Sequence, residues 1–379
     1  MTDMPSAALF RCGSYEREEV EDRLDILLES LGGMGRFVLP GERVLLKPNL
    51  LSASSPEQCV TTHPEVVRAA ALRVLEAGAH PFIGDSPGLD GFSSVAAKTG
   101  MAAVAGELGI PCAELDDPVP LPMAEGSVFQ RVEVSRKALE AGKIINLPKL
   151  KTHAQMMLTL GVKNLFGTVV RQRKASWHYT VGLDRDVFAD LHLDIARSLA
   201  PTLTIMDGIG GMEGRGPGNG RPRMFGLLAA SADPLALDLR LCTLLGADLQ
   251  AFPLYRSARR RNLVPKDFGT TAGDLPPDFV FEKVDIPRLD SLHLLPALLD
   301  GFGKRHLSSR PVQRPRDCIG CGKCVEVCPA KAMTRKTPNT IYIDYEKCIR
   351  CYCCQEVCPA DAIGFSRGFL LRVLDFLGR

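Results

Sequence analysis

The sequence predicts an α/β protein, an open and mostly parallel sheet with flanking helices, followed by a small α+β domain near the C-terminus. Three observations lead there. Over residues 1–300, short β-branched apolar runs alternate with Ala- and Leu-rich helical stretches, the pattern of strand and crossover helix. Each apolar run ends in a polar turn. Close to the C-terminus a cysteine-rich unit recurs after thirty residues, from 318 to 348.

The first strand of the sheet is read at 43–46 (RVLL), ending in Lys47, Pro48 and Asn49. Thr62, His63, Pro64 and Glu65 then open a helix that runs through VVRAAALRVLEAG to Gly78. A second strand at 81–84 ends in Asp85, Ser86, Pro87 and Gly88. A third at 143–147 (KIINL) ends in the polar stretch from Pro148 to His153, which includes Lys149 and Lys151. A fourth at 203–206 (LTIM) ends in Asp207, Gly208, Ile209, Gly210 and Gly211. In open α/β sheets the ligand crevice lies beyond the carboxyl ends of the strands, so these four turns are expected to converge on one site.

The cysteines carry the most specific signal. Cys318-x2-Cys321-x2-Cys324-x3-Cys328-Pro and Cys348-x2-Cys351-x2-Cys354-x3-Cys358-Pro are two copies of the spacing that holds [4Fe–4S] clusters. Three cysteines of each run wrap one cluster, and the fourth ligates the cluster of the other run. Cys318, Cys321, Cys324 and Cys358 are thus assigned to one cluster, and Cys348, Cys351, Cys354 and Cys328 to the other. Zinc explains neither the third evenly spaced cysteine nor the proline. Each unit reads as a loop and a short helix, at 325–327 and 355–357, with a strand at 340–344 ahead of the second loop. The pair resembles the bacterial dicluster ferredoxin domain over about 317–366. Cys353 departs from the pattern and is read as a bystander thiol, with redox sensing as the minority alternative.

Composition narrows the class further. Lysine plus arginine and aspartate plus glutamate nearly cancel, for a formal net charge of +2, and aromatics are sparse, so nucleic acid is not expected as a partner. No stretch reaches the apolar length of a membrane span, and the N-terminal segment lacks a secretory core; a cytoplasmic protein is expected.

The segments LLKPNL, TTHPEVVRAA, GDSPG, NLPKLKTH, MLTLGVKNLFG, WHYT, MDGIGGMEGRGP and ASADPLALD resemble the domain-of-unknown-function 362 family over about residues 10–250. Several members of that family carry the same C-terminal pair of ferredoxin motifs. The resemblance implies domain limits and the place of a site, and supplies no reaction.

Within the expected site, Lys149, Lys151, His153, Lys163 and His178 with Asp207 are the candidate catalytic residues. Lys47, Asn49, Asp85, Ser86, Asn164, Gly208, Gly210 and Gly211 are the candidate ligand- or cofactor-binding ones. Lysines beside a histidine at a strand end suit a carboxylate or phosphate, against the blander reading of a solvated face. A mononuclear metal held by His153 and His178 with Asp207 and Glu213 is a weaker alternative. The glycine run from Gly208 could cradle phosphates, or form a mobile lid carrying Arg215, Arg221 and Arg223. Trp177 is expected to wall the cleft or simply to pack, rather than to take part in redox chemistry.

Arg259, Arg260 and Arg261 read as a solvated helix end, 301–316 as a linker, and 367–379 as an amphipathic tail. Two functions follow: an iron–sulfur redox enzyme whose α/β cleft exchanges electrons with the clusters, or an electron carrier whose α/β part docks a redox partner protein. They differ in whether the strand-end residues face the cluster domain across a pocket.

Overall fold

The computed structural model describes residues 6–366, apart from 183, 270, 277, 288 and 290–308. The tail at 367–379 and the first half of the expected linker therefore lie outside the described residues.

The strands, in chain order, are β1 (Ala7–Arg11), β2 (Arg43–Pro48), β3 (His80–Asp85), β4 (Cys112–Glu114), β5 (Pro118–Pro120), β6 (Glu133–Ser135), β7 (Lys143–Leu147), β8 (Lys149–His153), β9 (Met157–Thr159), β10 (Leu203–Glu213), β11 (Arg221–Ser231) and β12 (Thr271–Gly273). The main sheet runs β12-β1-β11-β10-β7-β2-β3-β4. Its centre is parallel, from β10 through β7, β2 and β3 to β4, while β11 pairs antiparallel with both β10 and β1. Since β2 lies between β3 and β7, the chain leaves β2 toward one edge and later returns on its other side. That reversal opens a crevice at the carboxyl ends of β2 and β7.

Alternation along the strands feeds two apolar layers. Val44 and Leu46 of β2 pack with the helices Arg17–Ser30 and Pro64–Glu76 on one face, and Leu45 with the helices Arg185–Leu199 and Pro234–Leu244 on the other. Helix starts follow local chemistry. Asp184 and Asp233 each accept two backbone N–H bonds at a first turn, and Pro64 and Pro234 occupy first-turn positions.

Two expected turns are strands instead. Residues 149–153 form β8, which pairs with β10 on one side and β9 on the other. The fourth strand does not stop at Met206; the glycine run continues it to Glu213 as one arm of a hairpin with β11. Glycine is needed there for packing. A Cβ on Gly211 would sit 2.6 Å from Leu150 O and 2.8 Å from the Phe225 ring, and one on Gly208 2.9 Å from Leu227 O. The lid arginines are likewise committed: Arg221 and Arg223 pair with Glu213, and Arg215 with Asp361.

Arg259 and Arg260 do close a helix and are exposed, although Arg260 reaches Asp190; Arg261, the largely buried member, pairs with the buried carboxylates of Asp190 and Asp194. Trp177 packs edge-on against Phe129, with ring centroids 5.5 Å apart, and serves the core rather than the cleft.

The C-terminal domain comprises β13 (Arg310–Gln313), β14 (Met333–Thr337), β15 (Thr340–Ile343) and β16 (Ile363–Ser366), with short helices Lys323–Glu326 and Cys353–Glu356. β13 pairs with β16, and Arg314 donates to Asp361. The second half of the expected linker is thus part of this domain. Polar, proline-rich composition is also compatible with a short edge strand.

Candidate functional site

The site is built from the ends of β2 and β3 upward. Lys47, fully buried, donates to Asp85 Oδ1 at 2.8 Å and to Pro48 O at 2.9 Å. Asp85 also accepts from the backbone of Leu50 (2.7 Å) and Ser86 (2.9 Å), so this pair is saturated and fixes the turn that carries Asn49. Burial lowers the Lys47 pKa against the pull of Asp85. Gly167 passes directly over the pair, where any Cβ would lie 2.5 Å from both Asp85 Oδ1 and Lys47 Nζ.

A second layer hangs on Asp238. Its carboxylate accepts from the N–H groups of Gly161 (2.7 Å) and Val162 (2.9 Å) and so anchors the turn Gly161–Asn164 that presents Lys163 and Asn164. Burial, only partly offset by those two bonds, raises the Asp238 pKa to about 8. Asn164 donates to Lys47 O and Asn146 Oδ1 and accepts from Asn49 at 3.1 Å. Lys151, fully buried, donates to Asn49 Oδ1 and Val60 O at 2.7 Å each. Burial, reinforced by Lys163 and Lys149, lowers its pKa to about 7. Lys174 donates to Ser86 O at 2.6 Å, and burial, against the pull of Asp85, lowers its pKa to about 7 as well.

The C-terminal domain closes this floor from above, leaving a cavity of about 290 Å³. Val327, Cys353, Glu356, Val357, Cys358 and Pro359 form the roof. Lys323 pairs with Asp90 at 2.5 Å across the junction, and Asn219 donates to Gln355 O at 2.8 Å. Glu356 Oε1 lies 3.2 Å from His153 Nε2, yet the two are not aligned for a hydrogen bond, and His178 Nδ1 also lacks a partner. His153 Nδ1 accepts from Gln155 and Met156. Burial lowers the pKa of both histidines to about 4, so they are neutral at pH 7. Burial pushes the Glu356 carboxyl up, but His153, Lys163 and His178 outweigh it and hold it at about 2.

The cysteines fall into the two crossed sets. One small cavity is walled by Cys318, Cys321, Cys324 and Cys358, and another by Cys328, Cys348, Cys351 and Cys354. Each set mixes both runs, as a pair of cubanes requires, so the residues present fit two clusters. Among the described residues no three His, Cys, Asp or Glu side chains converge on a single ion, and His153 and His178 lie apart from Asp207 and Glu213 in their bonding. Cys353 lines both the second cysteine cavity and the large pocket, and Cys358 both the first and the pocket.

Lys47, Asn49, Asp85, Ser86, Lys151, Lys163, Asn164 and His178 thus meet in one wall, with His153 behind Glu356. Lys149 and Asp207 do not join them. They pair at 2.8 Å, fully buried, with Tyr15 OH bridging both and the His63 N–H on Asp207 Oδ2. The cause is the register of β8: it sets Lys149 opposite Asp207, while Lys151, two residues further along the strand, reaches Asn49 and Val60 at the pocket. Gly208, Gly210 and Gly211 lie in β10, outside the pocket wall. Sequence reasoning missed Lys174, Glu356 and the wall role of Cys353. Glu356 has a twin at the same place in the first run, Glu326, so spacing alone could not single it out.

An α/β domain with a cavity at its strand ends, roofed by a dicluster cysteine domain, defines an iron–sulfur electron-transfer protein. The chain belongs to the family described as "Domain of unknown function (DUF362)", whose sequence model matches residues 44–243. A 4Fe-4S dicluster domain model matches residues 317–362, a domain that carries two [4Fe–4S] clusters. The thylakoid-associated protein sll1697 of Synechocystis sp. is 44% identical over 260 residues, covering 69% of this chain and 80% of that protein. Among the described residues no helix is long and apolar enough to cross a membrane.

Proposed function

We propose that the protein is a ferredoxin-fused oxidoreductase, in which electrons pass between the clusters and a small molecule held in the α/β pocket, with a separate redox protein as external partner. One arrangement carries this reading: Cys353 and Cys358 each stand in the wall of the pocket and of a cysteine cavity. When bound, the clusters supply one-electron transfer at a potential set by their surroundings.

The chain's own residues supply the rest. Lys163 and Lys174 present donors to a bound molecule. Lys151 Nζ, with a pKa of about 7, can hold or release a proton near neutrality. Val327, Val357 and Pro359 exclude water from the roof side. The external partner meets the domain where the first cysteine run reaches the surface, at Ile319, which is 66% exposed, and the exposed Cys321. The proposed compartment is the cytoplasm, where thiols stay reduced. The relative's description as thylakoid-associated adds a membrane surface to be checked by cell fractionation.

The test is anaerobic purification with iron, sulfide and bound-ligand analysis, followed by reduction of the clusters and addition of each recovered molecule. Two cubanes bring about eight iron and eight sulfide. A recovered molecule that reoxidises the clusters supports the enzyme. Clusters that stay reduced with every such molecule, yet pass electrons to a protein acceptor, would establish the electron carrier instead.

A further inference from the structure

We infer that the pocket takes an amphiphilic organic anion, its carboxylate or phosphate held at the α/β floor by Lys163 and Lys174 and its uncharged, reducible part laid against the ferredoxin roof. This rests on the redox reading above and names the class of molecule it serves.

The charge balance of the wall carries the argument. Among the described residues the wall holds six cationic side chains, Lys47, Lys151, Lys163, Arg171, Lys174 and Lys323, against three carboxylates, Asp85, Asp90 and Glu356. Asp85 is committed to Lys47, Asp90 to Lys323, and Arg171 to Glu114 outside the wall. Lys151 and Lys174 donate only to neutral oxygens, and Lys163 makes no ion pair among the described residues. Lys151 and Lys163 are thereby left to share Glu356, which faces His153 at 3.2 Å, while Lys174 has only the already paired Asp85 and Glu114 to act on it. Burial lowers the pKa of all three, and the carboxylates that act on them offset it only in part. A bound anion reverses that penalty.

The roof fixes the orientation. Apart from Glu356, and Lys323 whose charge is taken by Asp90, its lining is Val327, Val357, Pro359 and two cysteines, and thiolate-ligated clusters carry net negative charge. An anionic group is repelled there and drawn to the floor, while an apolar body is accepted. A cavity of about 290 Å³ suits an aromatic or short-chain acid and is too small for a dinucleotide.

The experiment is calorimetric titration of the full-length, cluster-loaded, oxidised protein with benzoate, phenyl phosphate and the neutral benzamide. At least one anion should bind about tenfold or more tighter than benzamide, equivalent to about 1.4 kcal/mol, and the better of the two identifies the head group. Lys163→Met and Lys174→Met should each shrink that preference toward unity, and Lys163→Arg should keep it, with iron content and circular dichroism unchanged. Benzamide binding as tightly as both anions, no binding by any of the three, or a preference that survives both methionine variants would overturn the inference. Its failure is separable from that of the redox reading. Turnover of an uncharged compound without anion preference removes only the inference, and an anion site to which no electrons pass removes only the enzyme.

Discussion

Lys47→Met tests whether the lysine nearest the switch point is structural or free for a ligand. The substitution keeps an unbranched apolar stem and deletes the ammonium between Asp85 and Pro48 O. Neither side chain of the pair is more than 5% exposed, so Asp85 is left as a buried, unpaired charge. Breaking such a pair costs about 3–5 kcal/mol. Asp85 keeps the N–H bonds of Leu50 and Ser86, which places the expected loss at the lower end, about 3 kcal/mol.

The assay is urea unfolding under anaerobic conditions, read by the fluorescence of Trp177. It is the chain's one tryptophan and packs against Phe129 inside the α/β body, so the signal reports the unfolding of that body. The double variant Lys47→Met, Asp85→Asn should lose clearly less than the sum of the single ones, because it removes both charges together. A loss under about 1 kcal/mol for Lys47→Met, or strict additivity in the double variant, would refute the reasoning and return Lys47 to the ligand-binding set.

Two further outcomes bear on the clusters and the glycine run. Cys328→Ser should damage the cluster held by Cys348, Cys351 and Cys354, and Cys358→Ser the one held by Cys318, Cys321 and Cys324, as resolved by electron paramagnetic resonance of each variant; damage confined to a variant's own run would contradict the crossed walls of the two cavities. Gly211→Ala should cost about 1–3 kcal/mol in the same urea titration, because its Cβ meets Leu150 O and the Phe225 ring, and should leave benzoate binding intact. Lost binding at native stability would revive the glycine run as a ligand cradle.

Local chemistry in the sequence settled a good deal. Cysteine spacing picks out the eight cysteines that wall the two small cavities, because a cluster motif constrains its own loop and the second run repeats the first. The strands at β2, β3, β7 and the start of β10 were legible because their apolar runs are short and bounded by polar turns. Part of the pocket wall, Lys47, Asn49, Asp85, Ser86 and Lys151, followed from the rule that parallel strands leave their carboxyl ends on one edge.

Other features were decided only by tertiary structure. Lys149 and Lys151 look alike in NLPKLKTH, yet one closes an ion pair with Asp207 and the other reaches the pocket, because the register of β8 against β10 sets Lys149 opposite Asp207 and carries Lys151 on to Asn49 and Val60. The glycines of β10 read as a loop because the sequence does not reveal that Leu150, Leu227 and Phe225 press against them. Glu326 and Glu356 occupy equivalent places in a repeat, and only the docking of the second half over the α/β floor sets Glu356 against His153. Spacing along the chain records what a segment must do for itself; which neighbour it meets is set by long-range packing, which short motifs do not encode.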